Sequence, residues 1–136
     1  MAMSAITKLS AEKRTAAAAP LLRTIFNIFD AWDLSNREQQ TLLGISNEGT
    51  FYNWKKNPET ATISNDLLER TSYILGIWKA LQILIPENRI SDTWVKSVNN
   101  GSAFNGQTPL QRMLGGHVVD LAYVRQYLDV MRGGWS

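Results

Sequence analysis

Residues 64–86 set the tightest limit on how this chain can fold. Leu67, Ile74, Trp78, Leu81 and Ile85 recur at spacings that, at ~100° per residue, place them on one stripe of a helix. Ser64 stands where an N-cap is wanted, and the ring of Pro86 removes the N–H needed to carry the helix on. The spacing therefore predicts a long helix over 64–85 whose apolar side must be covered along its whole length. A chain of 136 residues can build one real core around it, with a small second unit at most. No segment alternates apolar and polar residues as a half-buried strand does, so the cover must itself be helical and the fold class is all-α.

Upstream, Leu22, Ile25, Phe26, Phe29 and Trp32 predict a helix from Pro20. Before it, residues 1–19 are rich in Ala, Ser and Lys and lack apolar periodicity beyond Ile6 and Leu9. They read as a flexible arm, or as a frayed helix capped at Ser10. Ser35-Asn36-Arg37-Glu38 spells a capping box ahead of Leu42 and Leu43. Gly44 breaks that helix, Ile45 turns inward, and Ser46 is read as the cap of a third helix that sends Phe51 and Trp54 to the core. Helix, glycine turn and helix at these lengths outline a helix-turn-helix. Asn57-Pro58-Glu59 ends it.

Beyond Pro86 a fifth helix is expected over about 90–98, anchored by Trp94, and then a turn at Asn99-Asn100-Gly101-Ser102. Thr108-Pro109 starts another helix: a hydroxyl N-cap, then a ring whose missing N–H costs nothing at the first helical position. That helix ends at Gly115-Gly116, and a longer one follows from about 117 to 132. The resulting partition is a flexible arm over 1–19, a helix-turn-helix bundle over 20–85 and a small C-terminal helical domain over 86–136, joined by the long helix.

Composition narrows function mainly by exclusion. Hydrophobic residues at 44% and charged ones at 19% are ordinary for a globular chain, and no run of about 18 apolar residues exists to span a membrane. The first residues lack the apolar core of a secretory signal. Zero cysteines exclude disulfides and thiolate chemistry and fit a cytoplasmic setting. A net charge of +2 does not by itself announce a nucleic-acid binder.

Two surfaces remain as candidates. In a helix-turn-helix the second helix reads base edges in the major groove. With Phe51 and Trp54 inward, Asn47, Thr50, Tyr52, Asn53, Lys55 and Lys56, with the capping Ser46, are left to meet DNA. Asn suits adenine edges, and Lys, Ser and Thr suit phosphates or guanine. The same residue types suit an ordinary solvated face, and Glu48 would repel phosphate. The second surface is the last helix. Its polar residues Arg125, Gln126, Asp129 and Arg132 fill a narrow arc, flanked by Val119/Tyr123/Tyr127/Val130 on one side and Leu121/Val124/Leu128/Met131 on the other. This apolar arc spans nearer ~200° than the ~100° a small domain needs, which leaves one face to spare for a partner. Trp135, beyond Gly133-Gly134, is placed either as an anchor for another protein's pocket or folded back on its own helix.

Catalytic constellations are absent. His117 is the only histidine and reads as a partly buried helix-start residue; with no cysteine, no zinc site is expected. Gly115-Gly116 has neither a preceding strand nor a following Lys-Ser/Thr, so it is a helix corner and not a phosphate loop. Neither an enzyme nor a bound cofactor is expected.

The chain resembles the Xre/MbcA/ParS antitoxins, partners of RES-domain toxins in type II toxin–antitoxin pairs. The likeness runs from about residue 25 to 134. It lies in Trp32-Asp33-Leu34-Ser35, Leu42-Leu43-Gly44-Ile45-Ser46, Phe51-Tyr52-Asn53-Trp54-Lys55 and Glu69-Arg70. More specifically, it lies in Trp94, Asn100, Phe104-Asn105-Gly106, Thr108-Pro109-Leu110 and Leu114-Gly115-Gly116. The resemblance implies an Xre-like helix-turn-helix bundle that binds the promoter of its own operon, and a C-terminal domain that binds the toxin. It also implies that the antitoxin's end closes the NAD pocket of the toxin. Carried onto this chain, the toxin-binding residues are Tyr127, Leu128, Met131, Arg132, Gly133, Gly134 and Trp135, and NAD is the partner's substrate. A homodimer would add the phosphate contacts of two half-sites. The other reading is a stand-alone helix-turn-helix repressor whose C-terminal helices only dimerise it.

Overall fold

The computed structural model describes residues 11–99 and 101–133. Its elements are α1 (Ala11–Ala31), α2 (Asn36–Leu43), α3 (Glu48–Lys56), α4 (Asn65–Leu84), α5 (Asn88–Ser91), α6 (Pro109–Met113) and α7 (Val118–Met131). Single 3₁₀ turns lie at Pro58–Thr60, Trp94–Lys96 and Ser102–Phe104. The fold is all-α, with no strand among the described residues.

The helix starts follow from their caps. The Glu38 N–H donates to Ser35 Oγ at 3.1 Å while the Ser35 N–H donates to Glu38 Oε1 at 2.8 Å, so two otherwise orphaned donors are satisfied at once. Thr108 and Gln111 repeat the arrangement at the head of α6. Ser64 Oγ accepts the Leu67 N–H at 3.0 Å and opens α4. Gly44 closes α2 at φ 66°, a left-handed conformation that costs a residue with a Cβ roughly 1–2 kcal/mol.

α4 is the spine. Leu67, Leu68, Ile74, Ile77, Ala80 and Leu81 are all buried, because α1 and α2 cover one side and α7 covers the other. The α4–α7 crossing is the most extensive contact between two elements. One continuous apolar cluster runs from Ala18 on α1 to Leu128 on α7, so the bundle and the C-terminal segment share a core.

Several expectations change. α1 begins at Ala11 and passes straight through Pro20, so of the two readings of this stretch 11–19 follows the helical one and not the arm; residues 1–10, with Ser10, lie outside the described residues. An Ala-rich stretch has the highest helix propensity even without large apolar side chains, and Ala18 and Ala19 are buried. Pro20 is exposed, and its carbonyl accepts the Thr24 hydroxyl at 3.0 Å. α3 is capped by Asn47, whose Oδ1 accepts the Thr50 N–H at 2.9 Å, and not by Ser46. The helix expected over 90–98 is the short α5 followed by the Trp94–Lys96 turn, in which Val95 is the buried residue and Trp94 is half-buried. Trp78 is half-buried as well, whereas Ile77 beside it is fully enclosed. No helix among the described residues is long and apolar enough to cross a membrane.

Candidate functional site

The outward side of α3 presents Glu48, Gly49, Tyr52, Asn53 and Lys56, with Ser46 and Asn47 exposed just before it and Thr50 half-buried. Several of these side chains are already engaged. Asn47 caps its own helix. Asn53 Nδ2 donates to Thr60 Oγ1 at 3.1 Å. Lys55 is half-buried, and its ammonium donates to Asn36 Oδ1 at 2.8 Å and to Gln39 Oε1 at 3.0 Å, 5.7 Å from the centroid of the Phe26 ring and 5.8 Å from that of Phe51. Gln39 is 2% exposed and donates in turn to the Leu34 carbonyl at 2.9 Å. Lys55 thus holds α2 against α3, and the cations that face outward are Lys56 and Arg37.

Arg37 was not singled out by sequence reasoning, because its neighbours Ser35 and Glu38 explain the segment as a cap. It lines an open groove of about 610 Å³ together with Gln40, Ser46, Glu48 and Tyr52. Helix position is the signal that finds it. At 100° per residue, Arg37 lies on the side of α2 opposite the buried Leu42 and Gln39 row, next to the exposed side of α3.

On α7 the two apolar sectors have different fates. Leu121, Val124 and Leu128 are buried against α4. Leu128 is 2% exposed and is core, which corrects its assignment to the contact surface. The other sector stays open: Val119 and Val130 are exposed, Tyr123 and Tyr127 are half-buried, and Met131 beside them is 58% exposed. A second shallow depression, of about 280 Å³, is lined by Tyr123, Gln126, Tyr127 and Val130.

The tyrosines are rigidly mounted. Tyr127 stacks on Trp94 with centroids 6.2 Å apart, meets Phe104 edge-on at 5.1 Å, and its hydroxyl accepts from Asn99 Nδ2 at 3.3 Å. The Tyr123 hydroxyl donates to the Ala103 carbonyl at 2.5 Å, and the Arg112 guanidinium lies over its ring at 4.0 Å. Phe104, from the Phe-Asn-Gly run, is the buried hub of this aromatic group. The turn after it needs positive φ at Asn105 (51°) and Gly106 (78°). Arg132 and Gly133 follow α7 on the surface; Gly134 and Trp135, like Asn100, lie outside the described residues.

Arg112 also pairs with Asp120 at 3.0 Å, joining α6 to the first turn of α7. Burial pushes the Asp120 carboxyl up. The His117 N–H at 3.2 Å, the Arg112 guanidinium and the His117 ring pull it down further, and the balance lies below the ordinary carboxylate value. His117 itself is exposed, not partly buried as expected, since the chain turns outward at Gly116.

The surfaces suit macromolecular contact: a short helix whose exposed side carries Lys56 beside Arg37 of α2, and a fixed aromatic and aliphatic patch. Comparison with known proteins agrees with this division. The family described as the antitoxin Xre-like helix-turn-helix domain matches residues 11–76, and the antitoxin Xre/MbcA/ParS C-terminal toxin-binding domain matches residues 80–134. An uncharacterized protein of Sinorhizobium fredii, y4oB, is 45% identical over 113 residues, covering 83% of this chain and 84% of its own. The chain belongs to the Xre/MbcA/ParS family of antitoxins, with a helix-turn-helix domain ahead of a toxin-binding domain.

Proposed function

We propose that this antitoxin neutralises an NAD-consuming RES-domain toxin by covering the entrance of its active site, and that it represses its own operon. The observation that carries the first part is the exposed Val119, Val130 and Met131, with the half-buried Tyr123 and Tyr127 between them, on a helix whose opposite row is core. An unpaired apolar patch on a rigid support favours a protein partner. Tyr127 and Met131 dock on the toxin, and Arg132, Gly133, Gly134 and Trp135 extend over the pocket mouth. A stable interface buries ~1,600 Å² in total, so the segment over 101–110 contributes as well. NAD is consumed by the partner; the antitoxin holds no cofactor and acts in the cytoplasm, where its operator lies.

For the operator, α3 enters the major groove with Ser46, Asn47, Thr50, Tyr52 and Asn53 near base edges, while Lys56 and Arg37 meet phosphates. A homodimer brings two such half-sites together. Trimming the chain after Arg132 tests the occlusion: the shortened protein stays folded by circular dichroism and no longer suppresses NAD consumption by the toxin. Full suppression by the trimmed chain overturns it.

A further inference from the structure

Which side chains of α3 are free to read a base follows from what the others already hold. Asn47 Oδ1 is taken by the Thr50 N–H at 2.9 Å. The Asn53 amide is engaged at both ends: its Nδ2 donates to Thr60 Oγ1 at 3.1 Å, and its Oδ1 accepts from Asn57 Nδ2 at 3.5 Å. Neither carboxamide can present the paired donor and acceptor with which Asn reads adenine without giving up a bond already made. Lys55 is held by Asn36 and Gln39. What remains is a row at four-residue intervals, Glu48, Tyr52 and Lys56, exposed on one side of the helix. The Tyr52 ring is set by an edge-on contact with Phe51 at 5.3 Å. Glu48 opens the helix, lines the same groove as Arg37 and Tyr52, and its carboxylate has no partner among the described residues. Gly49 beside it is exposed and carries no side chain, so this end of the helix can come close to a groove floor.

Resting on the operator reading proposed above, we infer that Glu48 fixes the sequence of each half-site by accepting the major-groove N4–H of a cytosine. A carboxylate is acceptor-only and is repelled by phosphate, so it weakens binding to any duplex on which it finds no donor. The major-groove base edges offer two amino donors, on cytosine N4 and on adenine N6. Adenine sets its N7 acceptor beside N6, which pushes a carboxylate away; cytosine has no acceptor of its own on that edge. In a helix-turn-helix the first residues of the second helix are the ones that reach base edges, and Glu48 is the first residue of α3. Arg37 and Lys56 supply the phosphate attraction that offsets the carboxylate. A negative charge at a helix N-terminus also stabilises the helix, but that effect is the same on every DNA sequence and selects none.

The test uses the full chain and a pool of random duplex DNA. Sequences retained by the parent are selected, and the tightest is remade with N4-methylcytosine at each cytosine in turn. That base still pairs with guanine, with its methyl in place of the N4–H that faces the major groove. At one cytosine in each half-site the parent's Kd rises roughly 5- to 150-fold, the range of one lost base contact. Glu48→Ala, folded by circular dichroism, responds there by no more than about twofold, because the acceptor is gone. A parent that selects a sequence yet tolerates the methyl at every cytosine overturns the assignment and leaves operator binding standing. That arm needs no substitution and holds even if the variant folds poorly. A Glu48→Ala protein that keeps the parent's full sensitivity also overturns it. A parent that selects no sequence overturns the operator reading, and the role of Glu48 with it.

Discussion

The guanidinium of Arg125 on α7 occupies the space over Gly76 on α4: a Cβ built on Gly76 would lie 1.4 Å from Arg125 Nη1 and 2.5 Å from Cζ. Gly76 is buried where the two most extensively packed helices cross, and Arg125 is held in place by both Asp129 oxygens at 3.0 Å. The glycine is therefore kept inside a helix, where it costs ~0.5–1 kcal/mol relative to Ala, so that the arginine can lie flat across the crossing.

A double-mutant cycle reads this directly. Gly76→Ala alone gains the helix term but expels Arg125 from its seat, giving no net stabilisation or a loss of up to ~1 kcal/mol. In an Arg125→Ala background the same change stabilises by ~0.5–1 kcal/mol. Urea unfolding of the four proteins gives the coupling; additive effects would mean that the two residues do not share that space.

Asp120 makes a second prediction, in pH. Its carboxyl is held below the ordinary value in the folded chain, so its stabilising contribution is fully present above the unfolded-state pKa and drains away as pH falls through the folded one. The parent should lose stability from about pH 4 downward more steeply than Asp120→Asn, which has no charge to lose at this site. At neutral pH that variant is less stable by ~1–2 kcal/mol, from the weakened cap at His117 and the lost pair with Arg112. Thermal unfolding across pH 3–7 measures both; parallel curves for the two proteins would show that Asp120 is not held as described.

Much of this architecture was legible in the residues because it is written in local chemistry. The boxes at Ser35 and Thr108, the glycine stop at 44 and the apolar stripe of α4 each depend on neighbours within one turn or on helical period. What depended on distant partners was not legible. Ser46 and Asn47 are both good caps by residue type, and it is the Asn47 side chain that accepts the Thr50 N–H. Both apolar sectors of α7 were visible, but only the position of α4 determined that Leu121, Val124 and Leu128 would be the buried one. The stripe of α4 looked one-sided through Trp78; burial by α1, α2 and α7 together made Ile77 the enclosed residue and left Trp78 at the margin. The contacts of Arg70 and Arg112 were not legible, since nothing local to either residue reveals the Gly116 carbonyl or the Tyr123 ring.

The adjacent lysines of α3 illustrate the same point and separate two roles that residue type alone merges. Lys55 is bonded to Asn36 and Gln39 across the α2–α3 junction, and Lys56 next to it points to solvent. Lys55→Ala strands the nearly buried Gln39 carbonyl oxygen and should cost ~1–3 kcal/mol in stability. If the domain is folded under the assay conditions, the salt dependence of operator binding should keep its slope. Lys56→Ala should change stability by no more than ~0.5 kcal/mol and reduce the salt slope by about one phosphate contact, weakening binding to all sequences alike. Chemical denaturation and a salt titration of operator binding on both variants decide it. A Lys55→Ala protein of parental stability with a flattened salt slope would return that residue to the DNA surface and remove it from the junction.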